Sequence, residues 1–83
     1  MRVRVLLFAT YREIVGQPEM IWTAASGTTV EAFLRGFLDA HPRLVPHRGS
    51  MMVAVNQTLA ERAAVLHEGD EVALLPPVSG GSR

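Results

Sequence analysis

The sequence predicts one α+β domain, a roll in which a mixed sheet of four to five strands packs on one main helix. Three observations predict this fold. Residues 2–8 begin with alternating polar and apolar side chains, residues 30–38 carry an apolar stripe at helical spacing, and residues 71–75 form an apolar run that ends at two prolines. A chain of 83 residues has room for a single domain of this kind.

Alternation near the N-terminus predicts the first strand, over residues 2–8. Its odd-numbered residues point to one face, whereas the other face becomes apolar only at Leu6 and Phe8. Residues 11–16 are predicted to form a polar connector with one helical turn, closed by a glycine. A second strand over residues 19–25 then pairs antiparallel with the first, because the link between them is short.

The main helix has the clearest local signals. Thr28 and Glu31 match a capping box, in which the threonine hydroxyl accepts from the Glu31 backbone N–H and the carboxylate reaches back. Pro42 ends the helix near Ala40 or His41. The apolar residues at helical spacing predict one buried face: Val30, Phe33, Leu34, Phe37 and Leu38.

The second half of the chain is predicted to return the last strand to the middle of the sheet, where it runs parallel to the first. Pro76 and Pro77 end its pairing, because neither residue has an N–H to donate. We therefore expect a folded domain over residues 1–75 and a flexible tail over residues 76–83. The predicted elements are, in order, a turn-rich crossing over 42–50, a strand over 51–55, a turn at Asn56-Gln57, a short strand over 59–61, a turn over 67–70 with Gly69 at positive φ, and a strand over 71–75.

Composition excludes several classes of protein. Hydrophobic residues make up 48% of the chain and charged residues 19%, which indicates a packed core and not a disordered chain. Eight basic side chains, all arginine, balance eight acidic ones, so the strong basic field of a nucleic-acid binder is missing. The absence of cysteine excludes disulfides and thiolate metal sites. No apolar run has the length of a membrane span and no secretory signal is evident, so we predict a cytoplasmic protein.

No group of residues has the pattern of a self-contained catalytic or metal site. Asp70 and Glu71 are adjacent and point to opposite faces of a strand, which makes them a poor acid–base pair. No glycine-rich loop precedes a helix in the manner of a phosphate-binding loop. The histidines lack the spacing of metal ligands: His41, His47 and His67.

Residues 76–81 allow two interpretations, a frayed end or linker on one hand and a functional arm on the other. Two prolines stiffen the exit from the last strand, and Gly80 and Gly81 remove side chains beyond it. Such a segment extends at most roughly 20 Å and can enter a narrow channel that any Cβ would block.

Taken together, motifs along the chain resemble the small, sulfur-carrying subunits of molybdopterin synthase, a family of ubiquitin-like β-grasp proteins. The most specific part is the ending, Gly-Asp-Glu-Val followed by Pro-Pro-Val-Ser-Gly-Gly, and the Asn-Gln turn supports it. The matching segments cover essentially the whole chain: residues 3–9, Arg12-Glu13 with Gly16, Thr29-Val30, residues 54–57 and residues 70–81.

The resemblance implies a function as sulfur carrier. An ATP-dependent activating enzyme adenylates the terminal glycine carboxylate, and a sulfur donor protein converts it to a thiocarboxylate. Sulfur then passes to cyclic pyranopterin monophosphate in the large synthase subunit. The resemblance implies no cofactor or metal on this chain, since ATP belongs to the activating enzyme. It assigns sulfur carriage to Gly81, tail threading to Pro76, Pro77, Val78, Ser79 and Gly80, and partner binding to an exposed apolar patch of Phe8, Leu59 and Leu75.

One departure from the family concerns the terminus, because the family ends at the second glycine whereas Ser82 and Arg83 follow Gly81 here. A peptidase removes them, or they come from an expression vector, or the chain continues into a fused partner; the sequence leaves these open. Two other functions also stay open. One is sulfur carriage for thiazole, cysteine or tRNA thiolation, and the other is a ubiquitin-like protein modifier or binding module.

Overall fold

A computed structural model of the chain describes residues 1–77 and contains five strands, two α-helices and one 3₁₀ helix. The predicted α+β roll with a mixed sheet is confirmed. The elements in chain order are β1 (Arg2–Leu7), α1 (Ala9–Val15), β2 (Glu19–Thr23), α2 (Val30–Ala40), the 3₁₀ helix (Pro42–Ser50), β3 (Met52–Val55), β4 (Thr58–Leu59) and β5 (Glu71–Leu75).

The strands form one sheet in the order β2-β1-β5-β3-β4. β1 pairs antiparallel with β2 and parallel with β5, and β3 pairs antiparallel with both β5 and β4. The last strand therefore lies in the middle of the sheet and parallel to the first, as the sequence predicts. Because β1 and β5 run in the same direction, both end at the same edge of the sheet.

The core lies between one face of the sheet and α2. β1 turns its odd-numbered residues inward, and Val5 is fully buried between strands and helix. Trp22 on β2 closes one side of this core through an edge-to-face contact with Phe37, whose ring centroid lies 5.1 Å away. The predicted helix stripe is buried as a set: Val30, Phe33, Leu34, Phe37 and Leu38.

The predicted capping box at the start of α2 is wrong. Thr29, not Thr28, is the N-cap, and its hydroxyl oxygen accepts from the Ala32 N–H at 3.1 Å. The Thr28 hydroxyl instead donates to the Ala25 carbonyl at 2.6 Å. The Glu31 carboxylate does not reach back either, because it pairs with arginines from other parts of the chain.

Other elements also differ from the predicted boundaries: β1 and β3 are one residue shorter than predicted, and β2 ends two residues earlier, at Thr23. The connector after β1 is a longer helix, which begins at Ala9 and ends at Gly16 in the left-handed conformation, with φ 94°. The crossing after α2 is a 3₁₀ helix, and β4 lies one residue earlier and is shorter than predicted. Of the predicted tail, the structure describes Pro76 and Pro77, while Val78, Ser79, Gly80, Gly81, Ser82 and Arg83 lie outside the described residues.

None of the helices within residues 1–77 combines the length and the apolar character that crossing a membrane requires.

Candidate functional site: an apolar patch on the outer face of the sheet

The sheet face opposite α2 carries a row of apolar side chains. Directly paired residues share a face, and the register pairs Leu6 with Ala73, Ala73 with Ala54, and Ala54 with Leu59. Leu59, on the last strand of the row, is 62% exposed. The two alanines face outward as well but are nearly covered, with Ala54 7% and Ala73 6% exposed.

A second apolar row follows at the edge where β1 and β5 end. Leu75 faces outward because Leu74 faces the core, and it pairs with Met52. Phe8 continues the alternation of β1 with extended backbone and is 39% exposed. The two rows together form a surface that we call the outer patch: Leu6, Phe8, Met52, Ala54, Leu59, Ala73 and Leu75.

The three side chains that the family resemblance assigns to partner binding, Phe8, Leu59 and Leu75, all lie on the outer patch. Phe8 and Leu59 are exposed, and Leu75 is half-buried. Sequence reasoning missed the alanines and Met52, which complete the surface. The strand register identifies them, because residues that pair directly across strands face the same side of the sheet as Leu6 and Leu75 do. Contiguous exposed apolar surface is a general characteristic of protein association sites.

The chain leaves the sheet beside the outer patch. β5 ends at Leu75, and Pro76 is half-buried while Pro77 is exposed. Neither proline can donate an N–H, so strand pairing stops where the chain departs. A protein that binds the outer patch at Leu75 therefore also lies close to Pro76, where the chain leaves the sheet.

A charged row bounds the outer patch on the side away from this exit. Arg4 lies one outward position before Leu6 and pairs with Glu71 at 2.8 Å and with Glu19 at 3.9 Å. These ion pairs are partly solvent-exposed, so each contributes little to stability. They give the apolar surface a polar rim, as protein interfaces usually have.

The β3–β4 turn is tied to the start of β5 by the side chain of Asn56. Its Nδ2 donates to Asp70 Oδ1 at 3.0 Å, and its Oδ1 accepts from the Glu71 N–H at 3.1 Å. The Asn56 backbone N–H also donates to the Glu71 carbonyl at 2.8 Å. The second Asp70 oxygen accepts from the His67 N–H at 2.8 Å. The two motifs that support the family resemblance, Asn-Gln and Asp-Glu, are therefore one hydrogen-bonded unit.

Residues 1–77 contain no cluster of three or more His, Cys, Asp or Glu side chains that could hold a metal. His41 packs on Phe37, His47 meets Tyr11, and His67 is exposed at a turn, so the three histidines are apart. Burial raises the pKa of the Tyr11 hydroxyl, which makes it a poorer acid. The described site is an apolar surface next to the end of β5.

Comparisons with known proteins agree with this geometry. The molybdopterin synthase sulfur carrier subunit of Escherichia coli is 42% identical over 81 residues, which cover 95% of this chain and 99% of that protein. SAMP1 from Haloferax volcanii, a small archaeal modifier protein, has a TM-score of 0.84 at 30% identity, covering 98% of this chain and all of that one.

A third match is a chain in the complex of subunits 1 and 2 of the molybdopterin-converting factor from Helicobacter pylori. It has a TM-score of 0.71 at 28% identity and covers 98% of this chain and 100% of that chain. The model of the ThiS family matches residues 5–81, nearly the whole sequence. The chain therefore belongs to the ThiS family.

Proposed function

We propose that this chain is the sulfur carrier subunit of a molybdopterin synthase. The observation that carries the proposal is the 42% identity to the Escherichia coli sulfur carrier subunit over nearly the full length of both chains. Two structural features support it: an apolar surface suited to a partner protein, and a chain exit at the edge of that surface.

The proposed chemistry takes place at Gly81. Its carboxylate oxygen attacks the α-phosphorus of ATP on the activating enzyme, and pyrophosphate leaves. Sulfide sulfur from a donor protein then attacks the acyl carbon, the bond to AMP breaks, and a thiocarboxylate remains. A carboxylate is a poor electrophile, so adenylation is needed to supply a leaving group. The thiocarboxylate sulfur then attacks a carbon of cyclic pyranopterin monophosphate, and an oxygen substituent leaves that carbon. Water hydrolyses the resulting thioester, so that the sulfur stays on the pterin and Gly81 is released as a carboxylate.

In this proposal the chain supplies a carrier and other proteins supply the catalysis. The outer patch docks first on the activating enzyme and then on the large synthase subunit, with Gly80 and the residues before it entering each active site. ATP is used by the activating enzyme, and no cofactor is assigned to this chain. The Helicobacter pylori structure supports the second step, since it is a complex of two subunits of the converting factor.

The proposal requires a free carboxylate on Gly81, so Ser82 and Arg83 have to be removed first. Its test compares the full chain with a variant that ends at Gly81. Each is incubated with activating enzyme, ATP and a sulfide source, and its intact mass is measured. We expect the variant alone to gain the mass of one oxygen replaced by sulfur. It should then support molybdopterin formation with the large subunit.

A matched control is the variant ending at Gly81 that also carries Leu59→Ala, which should accept sulfur more slowly because docking is weakened. If the variant ending at Gly81 is never thiolated, the sulfur-carrier proposal is wrong. The likeness to SAMP1 favours one other function, protein modification. That alternative would be established if the variant ending at Gly81 formed isopeptide adducts with many host proteins and no stable complex with the large subunit.

A further inference from the structure

The hydrogen bonds of Asn56 join two parts of the chain that bear on the outer patch. Asn56 begins the turn of the β3–β4 hairpin, and Leu59 lies three residues later on β4. Its side chain and backbone make three hydrogen bonds to Asp70 and Glu71, where β5 begins. β5 in turn carries two residues of the patch, Ala73 and Leu75.

Apart from the turn, Leu59 is held by a short β-ladder and by the next residue, Ala60, whose N–H donates to the Val53 carbonyl at 3.0 Å. β4 has two residues and lies at the edge of the sheet, where Leu59 pairs with Ala54 and Thr58 pairs with Val55. The side chain of Leu59 is 62% exposed, so packing does not fix its position. The register of a short hairpin with a two-residue turn depends on that turn. Asn56, the turn residue that is hydrogen-bonded to the start of β5, therefore helps to fix the position of Leu59.

We propose that Asn56 is a positioning residue for partner binding, which holds the β3–β4 hairpin against β5 so that Leu59 is presented in line with the outer patch. The inference rests on the proposed function, because it assumes that Leu59 contacts the large synthase subunit. It adds a role for a side chain that has no place in the sulfur chemistry and lies outside the patch.

Phe8 provides an internal reference, because it belongs to the same patch but is held independently of Asn56. Its carbonyl accepts from the Tyr11 N–H at 3.0 Å as the first turn of α1 forms. The preceding residue, Leu7, donates its N–H to the Pro18 carbonyl at 2.8 Å. Loss of the Asn56 side chain should therefore leave the position of Phe8 unchanged.

The test variant is Asn56→Gly. Asn56 has φ 51°, in the left-handed region, and glycine adopts this conformation readily, so the substitution removes the side-chain hydrogen bonds and keeps the turn possible. The matched control is Gln57→Gly, the next residue of the same turn, which has φ 71° and an exposed side chain. Thermal unfolding of each variant verifies that it is folded at the temperature of the binding assay.

The experiment is a pair of double-mutant cycles, with affinity for the large subunit from the same organism measured by calorimetry on the full chain. In the unchanged chain, Leu59→Ala and Phe8→Ala should each weaken binding about tenfold. In the Asn56→Gly background, Leu59→Ala should weaken binding less than about threefold, whereas Phe8→Ala should keep its full effect. In the Gln57→Gly background both should keep their full effects.

The outcomes separate the inference from the proposed function. If Leu59→Ala and Phe8→Ala leave affinity unchanged in the original chain, the docking role of the patch is wrong. If both substitutions weaken binding but Leu59→Ala has the same effect on affinity in the original chain and in the Asn56→Gly background, the positioning role of Asn56 is overturned. Equal attenuation of the Leu59 and Phe8 effects by Asn56→Gly would indicate a general loosening of the domain and would also overturn it.

Discussion

The hydroxyl of Tyr11 makes a sharp test of the core possible. Tyr11 is 1% exposed, and within residues 1–77 its hydroxyl has no hydrogen-bond partner. Its ring contacts His47 edge to face, with centroids 5.5 Å apart. Replacing it by phenylalanine removes the one polar atom and keeps the ring. Since a buried hydroxyl without a partner is unfavourable, Tyr11→Phe should leave stability near neutral pH unchanged or raise it by up to about 1 kcal/mol.

The same substitution has a second effect in alkaline solution. Burial raises the pKa of Tyr11 above its ordinary value of 10.0, so the folded state favours the protonated hydroxyl. Below about pH 10 the hydroxyl is protonated in both the folded and the unfolded chain, so stability does not depend on it. Above that pH the unfolded chain loses the proton while the folded chain keeps it. The free energy of unfolding should then fall by up to about 1.4 kcal/mol for each pH unit, until the folded-state pKa is passed.

This chain suits the measurement unusually well. It contains one tyrosine, no cysteine and no lysine, so few other groups titrate in this range. The difference in stability between the two proteins from about pH 9 to about pH 11.5 therefore reports Tyr11 itself.

The assay is thermal unfolding followed by circular dichroism, in which 1 kcal/mol corresponds to about 4–8 °C for a domain of this size. The unchanged chain should lose stability above about pH 10, and Tyr11→Phe should show a flatter profile. Parallel losses in the two proteins would refute the reasoning. A loss of more than about 1 kcal/mol for Tyr11→Phe near neutral pH would show that the hydroxyl has a partner.

Three other predictions concern the surface and the start of α2. Leu59→Ala should reduce the affinity for the large subunit by about 1–3 kcal/mol, as calorimetry can measure. Val65 is also exposed and apolar but lies outside the outer patch, so Val65→Ala should leave the affinity unchanged, and equal losses for the two variants would contradict the docking role of the patch. Thr29→Ala should lower the free energy of unfolding by about 0.5–2 kcal/mol, and Thr28→Ala should lower it by clearly less, as urea denaturation can measure. The reverse order would support Thr28 as the N-cap, as in the predicted capping box. Glu31→Gln should cost less than about 1 kcal/mol in low salt and still less in high salt, and a loss independent of salt would exclude an electrostatic role.

Features with a clear period were predictable from the sequence. The alternation of β1 placed Val5 in the core and Leu6 on the opposite face, and the stripe of α2 identified its buried residues. The two prolines predicted where β5 ends. Each of these follows from local spacing, because side-chain direction in a strand or helix is set by the backbone repeat.

The start of α2 could not be predicted in the same way, because two neighbouring threonines compete for the cap and distant contacts decide. The Thr28 carbonyl accepts from the Leu66 N–H, and Thr29 forms an isolated bridge with Val65. These contacts hold Thr29 extended, as an N-cap must be. Glu31 likewise pairs with Arg48 and Arg62, which lie far along the chain.

The site shows the same division. Exposure of Phe8 and Leu59 was expected from the resemblance, and the structure places both on one face. The link from Asn56 to Asp70 was not expected, although both motifs had been identified. It joins residues that are 14 positions apart, and no local pattern reports such a pairing. The roles assigned to residues 78–81 remain predictions.

The place of β5 in the sheet has a mechanical consequence. This strand is bonded on both sides, to β1 and to β3, and the chain departs from its end at Pro76. A pull applied there acts along the strand, so it has to shear two ladders simultaneously, whereas a terminal strand at a sheet edge could be peeled away one bond at a time. The folded domain can therefore resist tension that is applied at the end of β5.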